Sequence, residues 1–472
     1  MKIEPCVAIL VLNWNKKEFV INLLHTLTSI NYSNYDIIVV DNASTDGSVE
    51  AIQKFSHVNL IVNESNIGGT GGFNTGMKYV LEKKQHNYIW LLDNDATVTP
   101  DSLNELVDTM ENDQSIGLAG SRILNVYKPE YVVETGAKFD WQAGTVRPID
   151  RNVLKSQSNC TGPIEVDYVA ICSALVRVTA LVDVGLMDER YFLFWDDMDW
   201  GISFKQRGYK VVAVPKSEIF HAAFTEYRSV VVDSYYGVRN QLLTFSKYNY
   251  HKGARIGLFH QVRRTAKGGL LMLLRNKPGG KLGFLGFWDF LRGHWGKIPW
   301  TFSPTTKEGR NQRISLPKNA KVLVITTQDA DSTETVVNFL WKNGAAKVVI
   351  LVPEDRKALF SGSHYSQLIA IDYFGGSVTW NTWKIFCQLM GERFDISVKS
   401  SPEKVSPFSY AIKDSAWYAQ DDEALVLTKE SRGQIWQVVF ASFFGELLGI
   451  GMYVIAWLRG LFYTQPPHRL IR

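Results

Sequence analysis

The sequence predicts an α/β fold, because short apolar segments alternate along the chain with polar turns and helix-forming stretches. Residues 88–92 form an apolar run without helical periodicity, bounded by polar residues, which is typical of a buried strand in a parallel sheet. Residues 7–12 and 36–40 form similar runs, each followed by a polar turn and a helical pattern. A second βα series begins at residue 321. We therefore expect a doubly wound sheet in the first half and a second, smaller α/β domain.

The predicted strand 88–92 delivers two carboxylates, Asp93 and Asp95, to its carboxyl end, with Asn94 between them. Ligands of open α/β sheets bind at that edge. Two carboxylates so close together repel each other unless a cation or hydrogen-bond donors lie between them. A hard divalent cation carrying a diphosphate fits this pattern, and a solvated turn before the next helix is the alternative.

The other strands of the first half also end in polar segments. Asn13 follows the first strand, and Asp41 ends the second, where a carboxylate can accept hydrogen bonds from a ribose or a base but is also an ordinary turn residue. Residues 60–62, the third strand, run into the glycine-rich segment 66–76, and a helix is predicted to begin near Phe73. Its glycines allow backbone N–H groups to approach a ligand closely, whereas a flexible loop is the alternative.

Length and composition limit the classes of protein to which the chain can belong. At 472 residues the chain is expected to hold two or three domains, and its formal charge of +4 does not by itself indicate a nucleic-acid binder. The four cysteines show no CxxC or metal-ligand spacing, which favours free thiols in a reducing compartment. The apolar run 7–12 is too short for a secretory signal, so the domain is expected to face the cytosol.

An acidic and aromatic segment follows at residues 191–200, where Asp196, Asp197 and Asp199 lie among aromatic side chains. Such a cluster is costly to desolvate unless it is used, although an acid-rich helix start is the alternative. Further on, His221 stands among apolar residues, as satisfied core histidines often do.

Four spaced motifs carry a resemblance: VAILVLNWN, VVDNASTDGS, NIGGTGGFNTG and WLLDNDATVTP. Together they resemble the nucleotide-sugar half of inverting family 2 glycosyltransferases with the GT-A fold, which has a Rossmann-like mixed sheet. The resemblance implies that Asp41 contacts a uracil or thymine nucleoside. It also implies that Asp93 and Asp95 hold Mn²⁺ or Mg²⁺ on the donor diphosphate. The nucleotide-sugar contacts that it implies are Asn13, Asp41, Asn66, Gly69, Gly72, Asn74, Asp93, Asn94, Trp195 and Arg239.

The region from FWDDMDW to IFHAAF, followed by YGVRN at 236–240, is similar to bacterial galactofuranosyltransferases and rhamnosyltransferases. This similarity implies that Asp197 is the catalytic base, that Asp196 supports it or binds acceptor hydroxyls, and that Trp195 stacks on a sugar. It also implies that His221 completes the metal site with Asp93 and Asp95. The implied reaction is a single displacement from a UDP- or dTDP-sugar, with galactofuranose or rhamnose favoured. The implied acceptor is a hydroxyl of a cell-envelope glycan or of a polyprenyl-diphosphate-linked precursor.

Two later segments suggest membrane contact. Residues 247–297 carry eleven basic residues against one acid, Asp289, with leucines and aromatic residues between them. This pattern suits an interfacial helix on an anionic leaflet or a helical extension with a solvated basic face, and no nucleic-acid module accompanies it. Residues 435–458 are apolar, and their length suits a membrane span, whereas Glu446 and a stripe of small residues suit an interfacial or protein-packed helix. The expected location is the cytoplasmic face of the plasma membrane, peripheral or C-terminally anchored.

The predicted organisation has four parts. Residues 1–245 form the GT-A domain, 246–315 a basic helical connector, 316–430 a small Rossmann-like domain without an assignable cofactor, and 431–472 a C-terminal apolar helix. A non-catalytic GT-A scaffold and a nucleotidyltransferase remain alternative functions. Association into a homo-oligomer stays open.

Overall fold

The computed structural model describes residues 4–221, 232–274, 278–298, 312–314, 319–325, 330–353, 365–371, 396–399, 414–419, 424–428 and 444–455. The chain divides into two compact units. The first comprises Met1–Thr265, Lys281–Phe302 and Ile450–Arg472, and the second comprises Ala266–Gly280 and Ser303–Gly449. The finer boundaries drawn from the sequence stay predictions.

The elements between residues 4 and 298 alternate as the sequence predicts. The strands are β1 Val7–Asn13, β2 Tyr35–Asp41, β3 Val58–Val62, β4 Tyr88–Asp93, β5 Ala96–Val98, β6 Ile116–Asn125, β7 Tyr131–Glu134, β8 Ala137–Asp140, β9 Thr145–Pro148, β10 Val153–Leu154, β11 Ile164–Val166, β12 Ser173–Arg177 and β13 Lys210–His221. The helices are α1 Lys17–Leu27, α2 Ser48–Ile52, α3 Gly68–Lys83, α4 Ser102–Asn112, α5 Val178–Val184, α6 Asp196–Gln206, α7 Gly237–Lys247, α8 Ala254–Leu274 and α9 Pro278–Arg292.

The main sheet of the first unit is mixed. Its strand order is β10-β7-β6-β12-β4-β1-β2-β3, and β13 pairs with β6, β11 and β5. Strands β3, β2, β1 and β4 are parallel, whereas β12 runs antiparallel to β4 and β6. The predicted Rossmann-like mixed α/β sheet is therefore confirmed.

The central strands are apolar because helices and other elements cover both faces of the sheet. Alternate residues of β1 and β4 point to opposite faces, so Ile9 and Trp90 join one core cluster and Leu10 and Leu91 the other. All four side chains are fully buried. This packing fixes the register, in which Asn13 pairs with Asp41 and Leu12 pairs with Asp93. The carboxyl ends of β1, β2 and β4 therefore meet at one edge.

Helix α3 begins at Gly68, so the predicted start near Phe73 is wrong. Most glycines of the segment lie inside the helix and allow it to approach the sheet. A Cβ atom on Gly72 would overlap the Leu12 side chain, and Gly68, at φ +84°, lies against the Phe192 carbonyl group. The glycines are therefore explained by close packing as well as by access to a ligand.

The second unit contains a seven-stranded sheet. Its strands are β14 Gln312–Ile314, β15 Lys321–Ile325, β16 Lys347–Pro353, β17 Gln367–Ile371, β18 Ile396–Lys399, β19 Asp414–Ala419 and β20 Ala424–Thr428, and α10 spans Ala330–Lys342. The order is β14-β20-β19-β18-β15-β16-β17. Strands β15 to β19 are parallel to one another, whereas β20 runs antiparallel to β19 and β14 runs antiparallel to β20. The structure contains the βα series predicted from residue 321, and the sheet also includes β14, β19 and β20.

The basic segment forms α8 and α9, as the helical prediction required. A helix over 444–455, here α11, is the described part of the predicted apolar helix, and residues 435–443 and 456–458 lie outside the described residues. Among the helices that the structure describes, none has the length and apolar character needed to cross a membrane.

Candidate functional site

The carboxyl ends of β1 and β2 are joined by a buried hydrogen-bond network. Asn13 Nδ2 donates to Asp41 Oδ2 at 2.8 Å, and Asn94 Nδ2 donates to Asn13 Oδ1 at 2.7 Å. The backbone N–H of Ser44 donates to Asp41 Oδ1 at 2.7 Å. Asn13 and Asp41 are fully buried, so they hold the strand ends and the following turn in place. Contact of Asn13, Asp41 and Asn94 with a nucleotide sugar stays a prediction.

The three residues predicted to bind a metal lie together. One ligand atom from each of Asp93, Asp95 and His221 falls within 4.8 Å of the others. The long strand β13 makes this possible, because its pairing with β5 places His221 opposite Ala96. His221 Nε2 lies 3.0 Å from Asp95 Oδ1 and 3.6 Å from Asp93 Oδ2. Two carboxylate oxygens and an imidazole nitrogen fit a divalent cation such as Mn²⁺.

Electrostatic interactions link these three side chains. Burial opposes protonation of His221, but hydrogen bonds to Asp93 and Asp95 outweigh it and raise the pKa of His221 from 6.5 to about 9. Burial acts to raise the pKa of Asp95, yet its hydrogen bond with His221 leaves that pKa below its usual value. The Asp93 side chain is 40% exposed, against 12% for Asp95 and 4% for His221. The group therefore opens to solvent through Asp93.

The segment before α6 has a strained backbone. Phe192, Phe194 and Trp195 have φ values of 63°, 73° and 73°, a left-handed conformation that is uncommon for aromatic residues. Asn240 holds the segment, since its Nδ2 donates to the carbonyl oxygens of Tyr191, Leu193 and Phe194 at 2.9, 2.8 and 2.7 Å. The segment ends at Asp196, the first residue of α6.

Arg239 also holds the segment before α6. Its side chain is fully buried, and its guanidinium donates to the carbonyl oxygens of Tyr191 at 3.0 Å and Gly296 at 2.8 Å. Arg239 therefore helps to position the strained segment, and its implied contact with the nucleotide sugar stays a prediction.

Two of the three predicted carboxylates, Asp196 and Asp197, interact electrostatically with Asp93. Asp196 and Asp197 are half-buried, and burial raises the pKa of both. For Asp197 repulsion from Asp196 adds to burial, so its pKa lies well above the usual value. Asp93 contributes to the rise in both cases, which indicates that the two carboxylate groups share one site.

The three carboxylates of this cluster, Asp196, Asp197 and Asp199, have different partners. Thr70 Oγ1 donates to Asp196 Oδ2 at 2.7 Å, which links the start of α3 to the start of α6. Asp199 is buried and pairs with Lys247 Nζ at 2.8 Å. Asp199 therefore anchors α6, whereas Asp197 accepts a hydrogen bond from the Met198 N–H at 2.8 Å and carries the raised pKa. Sequence reasoning missed Thr70 and Asn240, although both lie inside quoted motifs.

The remaining predicted residues lie around this site. Asn66 Oδ1 accepts a hydrogen bond from the Gly68 N–H at 2.8 Å, and Asn74 is buried and donates to the Met187 carbonyl oxygen at 2.9 Å. Trp195 is only 8% exposed. These residues shape α3 and the strained segment, and their contacts with a sugar nucleotide, like those of Gly69 and Gly72, stay predictions.

Comparison with known proteins gives distant relatives. The galactofuranosyltransferase GlfT2 of Mycolicibacterium smegmatis is 24% identical over 261 residues, which are 50% of this chain and 40% of that protein. The dTDP-rhamnosyl transferase RfbF of Shigella flexneri is 24% identical over 238 residues, which are 48% of this chain and 76% of that protein. The chain thus spans less than half the length of the galactofuranosyltransferase. A solved structure of GalNAc-T7 with UDP, GalNAc and Mn²⁺ is 15% identical, with a TM-score of 0.46, and covers 62% of this chain and 55% of that chain.

Residues 8–162 match the family model described as Glycosyl transferase family 2, and this range contains β1 to β4 with their polar carboxyl ends. The mixed sheet and the position of the carboxylates agree with that match. Over residues 8–162 this chain is therefore similar to glycosyltransferase family 2, and it is a distant homologue of the galactofuranosyl- and rhamnosyltransferases.

Proposed function

We propose that this protein is an inverting, metal-dependent glycosyltransferase that moves a sugar from a nucleotide-sugar donor to an acceptor hydroxyl. The observation that carries the proposal is the position of Asp197. This half-buried carboxylate has a pKa well above its usual value and shares a site with a group of metal-ligand type, Asp93, Asp95 and His221. A base with a raised pKa accepts a proton more readily near neutral pH.

In this mechanism the chain supplies one base and one cation site. Asp197 takes the proton of the acceptor hydroxyl as that oxygen attacks the anomeric carbon from the side opposite the leaving diphosphate. Asp196, fixed by Thr70, keeps Asp197 in place and raises its basicity by repulsion. When bound, a divalent cation at Asp93, Asp95 and His221 would neutralise charge on the leaving diphosphate. Trp195 would face the transferred sugar.

The substrate class extends the proposal. We favour UDP-galactofuranose or a dTDP-rhamnose-type donor, because the motifs around Asp197 and His221 are similar to those of enzymes with these activities. The acceptor would be a hydroxyl of a cell-envelope glycan or of a polyprenyl-diphosphate-linked precursor. These assignments rest on relatives of about one quarter sequence identity.

Release of nucleoside diphosphate tests the reaction. Wild-type protein with Mn²⁺ or Mg²⁺ is expected to release nucleoside diphosphate from one member of a panel of UDP- and dTDP-sugars, because water can replace the acceptor slowly. The signal should disappear with a chelator. Release of pyrophosphate would instead support a nucleotidyltransferase, and absence of donor binding by calorimetry would support a scaffold.

We also propose that the protein binds an anionic membrane surface peripherally on the cytoplasmic side. Within the second unit, α8 and α11 meet where Gly445 lies against Lys267, and Lys267 forms an ion pair with Glu446. The exposed apolar side chains of these helices there are Met272, Leu273, Leu274, Phe444, Leu447 and Leu448. Exposed apolar residues beside a basic segment suit the headgroup boundary of an anionic bilayer.

Vesicle sedimentation tests this surface. The protein is expected to sediment with vesicles that contain phosphatidylglycerol and to stay in solution with phosphatidylcholine vesicles, because the segment is basic. Leu447→Glu should lower the bound fraction several-fold, since it places a carboxylate on the apolar face. Val182→Glu is the matched control, because Val182 is 67% exposed on α5 in the other unit. Equal binding of both variants would contradict the proposal.

A further inference from the structure

A second group of metal-ligand side chains lies outside the site described above. One atom each from Cys6, Asp36 and His86 falls within 4.8 Å of the others. Cys6 precedes β1, Asp36 lies at the start of β2, and His86 lies shortly before β4. Since these strands are parallel, the group lies at the amino edge of the sheet, opposite the edge that carries Asp93.

The backbone fixes this arrangement before any ligand arrives. The Cys6 N–H donates to Asn87 Oδ1 at 2.9 Å, and the Asn87 N–H donates back to the Cys6 carbonyl oxygen at 2.8 Å. Gln85 Nε2 donates to Asp36 Oδ2 at 3.3 Å. The turn that joins α3 to β4 is thus held against the starts of β1 and β2, so the backbone at all three residues is preorganised.

The two ring nitrogens of His86 have different surroundings. Its Nε2 lies 2.9 Å from Asp36 Oδ2, whereas its Nδ1 is buried and has no hydrogen-bond partner within the part of the chain that the structure describes. The residue is 8% exposed. Nε2, the ring nitrogen that faces Asp36, is therefore the atom available to a cation held together with Asp36.

We propose that Cys6, Asp36 and His86 form a zinc site that clamps the amino edge of the sheet. A thiolate, an imidazole and a carboxylate are the donor types that Zn²⁺ takes in tetrahedral sites. Ligand atoms around tetrahedral zinc lie about 3–4 Å apart, which is within reach of this cluster through rotation of the Cys6 and Asp36 side chains.

Binding is a coordination step in which the Cys6 thiol loses its proton to solvent as the Zn–S bond forms. Three protein ligands leave one position for water, and the Asp36 side chain, 44% exposed, gives access from solvent. The site lies on the edge of the sheet away from Asp93 and Asp197. Its role is to stabilise the fold, so loss of zinc here should leave the chemistry of the opposite edge intact.

Cobalt absorption distinguishes the two sites, because only the proposed zinc site contains sulfur. Titration of the full-length protein with Co²⁺ is expected to give a thiolate-to-cobalt charge-transfer band equivalent to one bound ion. Cys6→Ser should abolish the band, and His86→Ala should weaken Co²⁺ binding by about 10- to 100-fold. Cys160→Ser is the matched control, because Cys160 is also a free, partly buried thiol, and it should keep the band.

Thermal unfolding gives an independent readout. In a His221→Ala background, which disables the other cation site, Zn²⁺ is expected to raise the melting temperature, and this rise should vanish when Cys6→Ser is added. Asp36→Asn serves as a second variant should Cys6→Ser fail to fold. Absence of the cobalt band from wild-type protein, or its persistence in Cys6→Ser, would overturn the proposal.

Discussion

Replacing Asp197 with asparagine is expected to lower the turnover number by about 10²–10⁴-fold, because the amide has the shape of the carboxylate but cannot accept the acceptor proton. The measurement is nucleoside diphosphate release with saturating donor, acceptor and Mn²⁺. Donor affinity by calorimetry should change little, since Asp197 acts on the acceptor. Asp183→Asn on α5 provides a matched control, because that carboxylate is 47% exposed and only weakly paired with Arg207 at 3.7 Å.

The same variant also tests the electrostatic description of the site. Burial and Asp196 raise the pKa of Asp197 above its unfolded value, so its contribution to stability is fully present below the unfolded pKa and is lost as pH rises through the folded pKa. Asp197→Asn removes this loss. It should therefore unfold at a higher urea concentration than wild type near neutral pH, and this advantage should shrink as the solution is acidified. An inactive variant that is also less stable at neutral pH would indicate damage to the fold instead.

The position of Asp93 and Asp95 at the sheet edge could be predicted because it depends on regular structure. Strand β4 is apolar on both faces and ends at Asp93, and parallel strands bring their carboxyl ends to one edge. His221 was harder to place, since an isolated histidine carries no periodic signal. It reaches Asp95 only because β13 continues to residue 221 and pairs with β5. Resemblance to a family, and not the spacing of the residues, predicted that contact.

The backbone conformation of the segment before Asp197 could not be predicted, and the reason is physical. Sequence patterns report the periodicity of helices and strands, whereas Phe192, Phe194 and Trp195 adopt a left-handed backbone that their side chains disfavour. Tertiary hydrogen bonds from Asn240 impose this conformation from a helix more than forty residues away in the chain. The burial of Arg239 could not be predicted for the same reason, because a motif gives no information on whether a guanidinium is buried.

Mn²⁺ is expected to bind more tightly as pH rises from about 6.5 to about 8.5, by up to about tenfold for each pH unit. The cause is competition with a proton. Hydrogen bonds to Asp93 and Asp95, opposed by burial, raise the pKa of His221 to about 9, so the metal must displace one proton from the ring throughout this range. Calorimetric titration of the metal-free protein with Mn²⁺ at several pH values, in buffers of different ionisation enthalpy, measures both the affinity and the proton released.

The control variants assign the proton to its residue. His221→Ala should bind Mn²⁺ more weakly at high pH and with little dependence on pH, whereas His25→Ala, which alters an exposed histidine of α1, should keep the wild-type slope.

The stability of the metal-free protein should fall as pH rises, which is opposite to the change in metal affinity. A histidine whose folded pKa is raised from 6.5 to about 9 contributes stability that is fully present below 6.5 and is lost as pH rises through 9. Metal affinity is therefore gained over the same pH window in which the stability contributed by His221 declines. A pH slope that survives in His221→Ala would show that another group releases the proton.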